Sequence, residues 1–176
     1  MRKSYYIIIL FFLFISCQNN SNKKRQNVIY DNLEIKEKEY WDYTMENGFI
    51  KISELNVKEL LSELKVKKTK KNELNILTTI GQTETDWLTE NDLEYLISII
   101  ESDEQAKCIN RMISSFIPDS KKMTIGNQAI SILEAYRKNE PFPNEIYICE
   151  IYDQKKIDEL LEWWKQKKTV ANKEQS

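Results

Sequence analysis

The chain has 176 residues, with 26 Lys+Arg against 28 Asp+Glu, three Cys, three Gly and no His. The length allows one domain with a tail. The missing His removes the commonest general base and the commonest metal ligand together. The three Gly (Gly48, Gly81, Gly126) are too far apart for a phosphate-cradling loop. A non-enzyme is therefore expected, with no catalytic residue, metal site or cofactor assigned.

Residues 1–17 place Arg2 and Lys3 ahead of eleven apolar residues, Tyr5 to Ile15, followed by Ser16 and Cys17. That is the order of a secretory signal. Eleven apolar residues fall short of the roughly 20 that a spanning helix needs. The chain then turns polar from Gln18 to Arg25.

The run Phe14-Ile15-Ser16-Cys17 resembles the lipobox of bacterial lipoproteins, with Phe14 standing where that family usually has Leu. The resemblance implies cleavage before Cys17 and acylation of its thiol and amine, anchoring the chain to a membrane. It also implies, from Gln18 at the second mature position, the outer membrane and hence a cell-envelope location. Loss of residues 1–16 removes two bases and no acid, leaving 24 basic and 28 acidic groups, a net of −4. An exported, mildly acidic body does not fit nucleic-acid binding.

With Cys17 acylated, Cys108 and Cys149 remain. In an exported protein they either form a disulfide or serve as two small buried hydrophobes.

Residues 17–27 read as a flexible tether, 28–170 as one domain, and 171–176 as a disordered tail. Residues 31–45 form either a helix, the preferred reading, or an irregular packed arm. Asn56 with Glu59 has the spacing of a capping box, and Val57, Leu60, Leu61 and Leu64 share one helical face behind it. Five lysines among residues 65–71 read as a solvated run. Glu73 to Ile80 is expected to form one or two helical turns ending at Gly81.

Thr89 opens a helix with Leu93, Leu96, Ile97 and Ile100 on one face. Asp103 is expected to cap another, carrying Ala106, Ile109, Ile113 and Phe116 and ending before Pro118. Thr124 opens a third, with Ile125, Ala129, Ile132, Leu133 and Tyr136 within about 100° of arc. Residues 139–144 form a loop, and 145–152 alternate only in part, which leaves an extended segment open there. Asp153 caps the last helix, burying Ile157, Leu160, Leu161 and Trp164. The sum is an all-α fold, either an irregular helical bundle or a short stack of helical hairpins.

The segments Trp87–Leu93, Ser114–Pro118, Thr124–Ala129 and Glu134–Arg137 together are similar to a group of secreted or lipid-anchored helical proteins of Bacteroidota-type bacteria, HEAT-like in character. The resemblance spans about residues 80–165. It implies an all-α fold and export, and carries no catalytic assignment.

A protein-interaction module at the cell envelope is the expected function, with an unidentified protein partner. Trp87, Trp163 and Arg137 are candidate contacts, since Trp and Arg are enriched in interface hot spots. Two alternatives stand beside it. One is an immunity protein that neutralises a toxin delivered by competing bacteria, and the other is an envelope enzyme.

Overall fold

A computed structural model describes residues 48–66, 75–112 and 122–174, within the compact unit Tyr43–Ser176. The signal-like segment, Cys17, the tether, the helix expected over 31–45, most of the lysine run, the segment around Phe116 and Pro118, and residues 175–176 lie outside the described residues.

The order is β1 (Ile50–Lys51), a 3₁₀ turn (Ile52–Glu54), α1 (Val57–Leu64), β2 (Ile76–Ile80), α2 (Glu90–Ser98), β3 (Cys108–Arg111), α3 (Ile125–Arg137), β4 (Tyr147–Ile148) and α4 (Gln154–Glu174). The strands form one sheet in the order β1-β2-β3-β4. β1–β2 and β2–β3 are parallel, and β3–β4 is antiparallel. The fold is thus α/β, and the all-α expectation, bundle and helical-hairpin stack alike, is corrected.

Two segments carry that correction. Residues 76–80 form β2 rather than helical turns, and residues 108–111 form β3 inside the stretch read as an Asp103-capped helix. Four of the five β2 residues are β-branched, which suits a pleated strand. The i, i+3 spacing of Ala106 and Ile109 mimics a helix, but both are buried for other reasons. Ala106 N donates to Met123 O at 2.9 Å, and Ile109 sits opposite Leu77 of β2. Every residue from Ile76 to Thr79 and from Cys108 to Asn110 is buried. Such strands lose the alternation that would announce them.

The helix starts are local and strong. Glu59 N donates to Asn56 Oδ1 at 3.0 Å while Asn56 N donates to Glu59 Oε2 at 2.9 Å, a complete capping box. Thr89 and Asp92 make a second. Asn127 N donates to Thr124 Oγ1 at 3.1 Å, and Lys156 N to Asp153 Oδ1 at 3.0 Å. α3 ends with Asn139 in the left-handed region (φ 55°). There Glu140 N reaches Ala135 O and Asn139 N reaches Tyr136 O, a Schellman motif.

α3 is the centre of the domain. It touches α1, α2 and α4, and every residue from Ile125 to Leu133 is buried. The core cluster joins Leu77, Ile109 and Ile148 of the sheet to Leu60, Leu64, Leu93, Leu96, Ile130, Leu133 and Leu160 of the four helices. In α4, Leu160 is fully buried, Ile157 and Trp164 pack partly, and Leu161 faces solvent. Among the described residues no helix is long and apolar enough to cross a membrane.

Gly126 lets α3 approach the 100–102 turn. Its N–H donates to Ser102 O at 3.1 Å, and a Cβ there would lie 2.5 Å from Ile100 O and 2.8 Å from Ser102 O. Helix propensity favours Ala over Gly by up to about 1 kcal/mol, but a clash with two backbone oxygens costs about 1–3 kcal/mol. The clash prevails. Gly126→Ala should lower stability by about 1–2 kcal/mol, read as a reduced urea midpoint at unchanged slope.

Candidate functional site

A cleft of about 430 Å³ opens between the second half of α3, the β4 segment and the start of α4. Ser131, Glu134 and Lys138 line it from α3, residues 144–150 supply Asn144, Glu145, Tyr147, Ile148, Cys149 and Glu150, and Tyr152 and Lys156 close it. The spacing of 131, 134 and 138 puts those three on one helical face. The opposite sides of α3 are committed to the core, so this face is what remains for a site.

One wall is pinned by Asn127. Its Oδ1 accepts from Tyr152 N at 2.9 Å, while its Nδ2 donates to the Thr124 cap at 2.9 Å. Ser131 Oγ donates to Asn127 O at 3.1 Å. The Tyr152 hydroxyl lies 3.4 Å from Ser131 Oγ, a contact in which either oxygen can be the donor. Burial, with the nearby Glu150 carboxylate adding to it, pushes the Tyr152 phenol up to about 12. That shift keeps the Tyr152 phenol protonated, the opposite of an activated nucleophile.

α3 and α4 are clamped by a ring of four charges. Glu134 pairs with Arg137 at 2.8 Å and with Lys156 at 3.1 Å. Glu159 pairs with the same two cations at 2.9 and 3.6 Å. The hydrogen bond from Arg137, followed by the field of Lys156, holds the Glu159 carboxyl below its ordinary range. Glu145, Glu150 and Lys138 stand outside the ring, and Ile146 (50% exposed), Tyr147 (41%) and Ile151 (50%) flank the carboxylates. Of these three, Tyr147 lines the cleft, together with Glu145 and Glu150.

Cys108 and Cys149 are joined as a disulfide, with Cα atoms 4.9 Å apart. The register explains the meeting. Ile109 faces Ile148, so Cys108 faces Cys149 one step along. Arg111 N donates to Ile146 O at 2.9 Å, which makes 111/146 and 109/148 the hydrogen-bonded pairs. The 108/149 pair is therefore of the closer, non-hydrogen-bonded kind. A bridge across 41 residues stabilises by about 4 kcal/mol in the chain-entropy account.

The three candidate contacts all have partners within the domain. Trp87 Nε1 donates to Leu55 O at 3.0 Å, and its ring stacks on Phe142 with centroids 6.3 Å apart. Arg137 lies in the charge ring with its guanidinium 5.5 Å from the Trp163 centroid, and Tyr136 meets the same ring edge-on. The structure thus brings Arg137 and Trp163 together and leaves Trp87 apart from them. Sequence reasoning passed over Ser131, Glu134, Tyr147, Glu150, Tyr152 and Lys156. The one signal for them was the partial alternation of 145–152, with tyrosines on both sides of Cys149.

Among the described residues no group of three His, Cys, Asp or Glu is placed to hold a metal ion. No protein-family model, curated protein or solved structure matches the chain.

Because its folded-state phenol is raised above the ordinary value of 10, Tyr152 favours the folded state fully below pH 10, and that contribution is lost as pH rises toward 12. Phenolate absorbance should show one tyrosine titrating with a midpoint near 12. Tyr152→Phe should remove that step and flatten the loss of stability between pH 10 and 12. An unchanged titration curve in the variant would refute the assignment.

Proposed function

We propose that the chain is a lipid-anchored protein-interaction module of the cell envelope, and that the α3–β4–α4 cleft takes a segment of its protein partner. The observation that carries the reading is the cleft's rim. Exposed Tyr147 lines it beside Glu145 and Glu150, with exposed Ile146 and Ile151 next to them in the chain, over walls held by the charge ring, by Asn127 and by the disulfide. Exposed apolar and aromatic side chains beside charged groups supply the anchors and the orienting contacts of a protein interface. Fixed walls reduce the ordering cost of binding.

The anchor rests on the Phe14–Cys17 motif and the apolar run before it. One acyl chain holds a protein to a membrane only marginally, whereas two or more hold it stably. An exported setting also suits a domain with a disulfide. The outer membrane is the proposed site, from Gln18.

Metabolic labelling with a fatty-acid precursor should tag the wild type and leave Cys17→Ala unlabelled. Equal labelling refutes the anchor. For the cleft, cross-linking to envelope proteins should yield a defined partner whose capture drops about tenfold or more in Tyr147→Ala and in Glu150→Lys. Lys58→Ala, on the outward side of α1, should leave capture intact. Capture unaffected by both cleft variants, or repeated recovery of no partner, refutes the binding site.

A further inference from the structure

We propose that the Cys108–Cys149 disulfide gates the cleft. Oxidised, it holds the β4 segment as a wall; reduced, residues 144–151 leave the sheet edge and the binding site is dismantled. This rests on the reading of the cleft as the binding site and adds its regulation.

The β4 segment is fixed firmly at both ends and weakly between them. Upstream, Thr83 N donates to Phe142 O at 2.7 Å, Phe142 N donates to Thr83 Oγ1 at 3.0 Å, and Gln82 Nε2 donates to Pro143 O at 2.9 Å. Downstream, Tyr152 N is held by Asn127 Oδ1. Between these anchors the ladder is Tyr147–Ile148 with the Arg111 N–Ile146 O bond beside it, at the end of the sheet, and Asn144 Nδ2 donates to Glu140 Oε2 at 2.7 Å. Ile148 alone among residues 144–151 is buried. So short an edge strand is marginal by itself, and the covalent link to β3 is its strongest restraint. The same eight residues supply more than half of the cleft's lining, from Asn144 to Glu150. Freeing them removes the wall while α3 keeps its place in the core.

The two sulfurs differ in access. Cys108 is fully buried within β3, whereas Cys149 is half-buried and lines the cleft. An incoming thiolate therefore reaches Cys149. It attacks the Cys149 sulfur, forming a mixed disulfide there, and Cys108 departs as a thiolate that takes up a proton. With a dithiol reductant the second thiol attacks the reductant's own sulfur in that mixed disulfide. Cys149 is released and protonated, and the dithiol is oxidised to its internal disulfide. Two electrons and two protons pass to the protein, and the dithiol loses the same number. A partner seated in the cleft would cover Cys149, so binding and reduction should oppose each other.

The test uses the full chain in detergent, oxidised and after treatment with dithiothreitol, without any partner. Hydrogen exchange at the Ile148 amide is compared with that at Leu133 in α3 within each sample, so that a general loss of stability divides out. The Ile148-to-Leu133 rate ratio should rise at least tenfold on reduction. An unchanged ratio, including parallel loss of protection in α3, overturns the gate. In a second arm, brief exposure to glutathione followed by acid quenching and peptide mass mapping should place the adduct on Cys149. An adduct on Cys108 overturns the proposed route. Exchange reads the strand alone, so its failure overturns only the gate, whereas failure to capture any protein overturns only the binding reading.

Discussion

The rest of this domain is arranged around the burial of α3. A helix covered from Ile125 to Leu133 cannot lie on a surface, so every neighbouring element is placed by the need to cover it. α1, α2 and α4 pack against it, and the sheet contributes Leu77, Ile109 and Ile148 to the same core. Each fully buried Leu or Ile is worth about 1.5–3 kcal/mol, so this one helix outweighs any polar contact described above. Two polar residues on α3 tie it to its surroundings, although Gln128 Oε1 is buried without a hydrogen-bond partner. Gln128 Nε2 donates to Lys107 O at 2.7 Å, and Asn127 joins the helix cap to the chain entering α4.

The cleft follows from that arrangement. Only the last turns of α3 emerge from cover, and there Glu134, Arg137 and Lys138 reach the surface beside β4 and α4. The charge ring is partly exposed, so its worth to stability is modest. Its effect is to set the angle between two helices, and hence the width of the cleft. The disulfide plays the matching part on the other side. It restrains an edge strand whose ladder is too short to restrain itself.

The helices were legible because their signals are local. Asn56 with Glu59, Thr89 with Asp92, Thr124 with Asn127, and Asp153 with Lys156 each act over three residues, and each is readable from spacing alone. The strands were not. Ile76–Ile80 and Cys108–Arg111 are short, buried on both faces and mostly parallel, so they show neither alternation nor a hairpin turn. Their apolar residues fell at intervals of three, which read as helix. The resemblance to HEAT-like proteins implied the same all-α fold, because its segments Trp87–Leu93, Thr124–Ala129 and Glu134–Arg137 are helix starts and ends, shared by many folds.

The site shows the same division. Sequence by itself determined the cap positions, the amphipathic faces of α1 and α2, the run of α3, the turn at 139–144, and which residues are chemically able to bind, bridge or titrate. Tertiary structure alone decided that β2 and β3 are strands, that Cys108 lies opposite Cys149, that Trp87 and Trp163 pack within the domain, and that Ser131, Glu134, Tyr152 and Lys156 share one cleft. Caps and helical faces depend on neighbours three or four residues away, and the chain states those directly. Strand pairing, disulfide register and a cleft between distant segments depend on contacts across tens of residues, and those come into being only when α3 is buried.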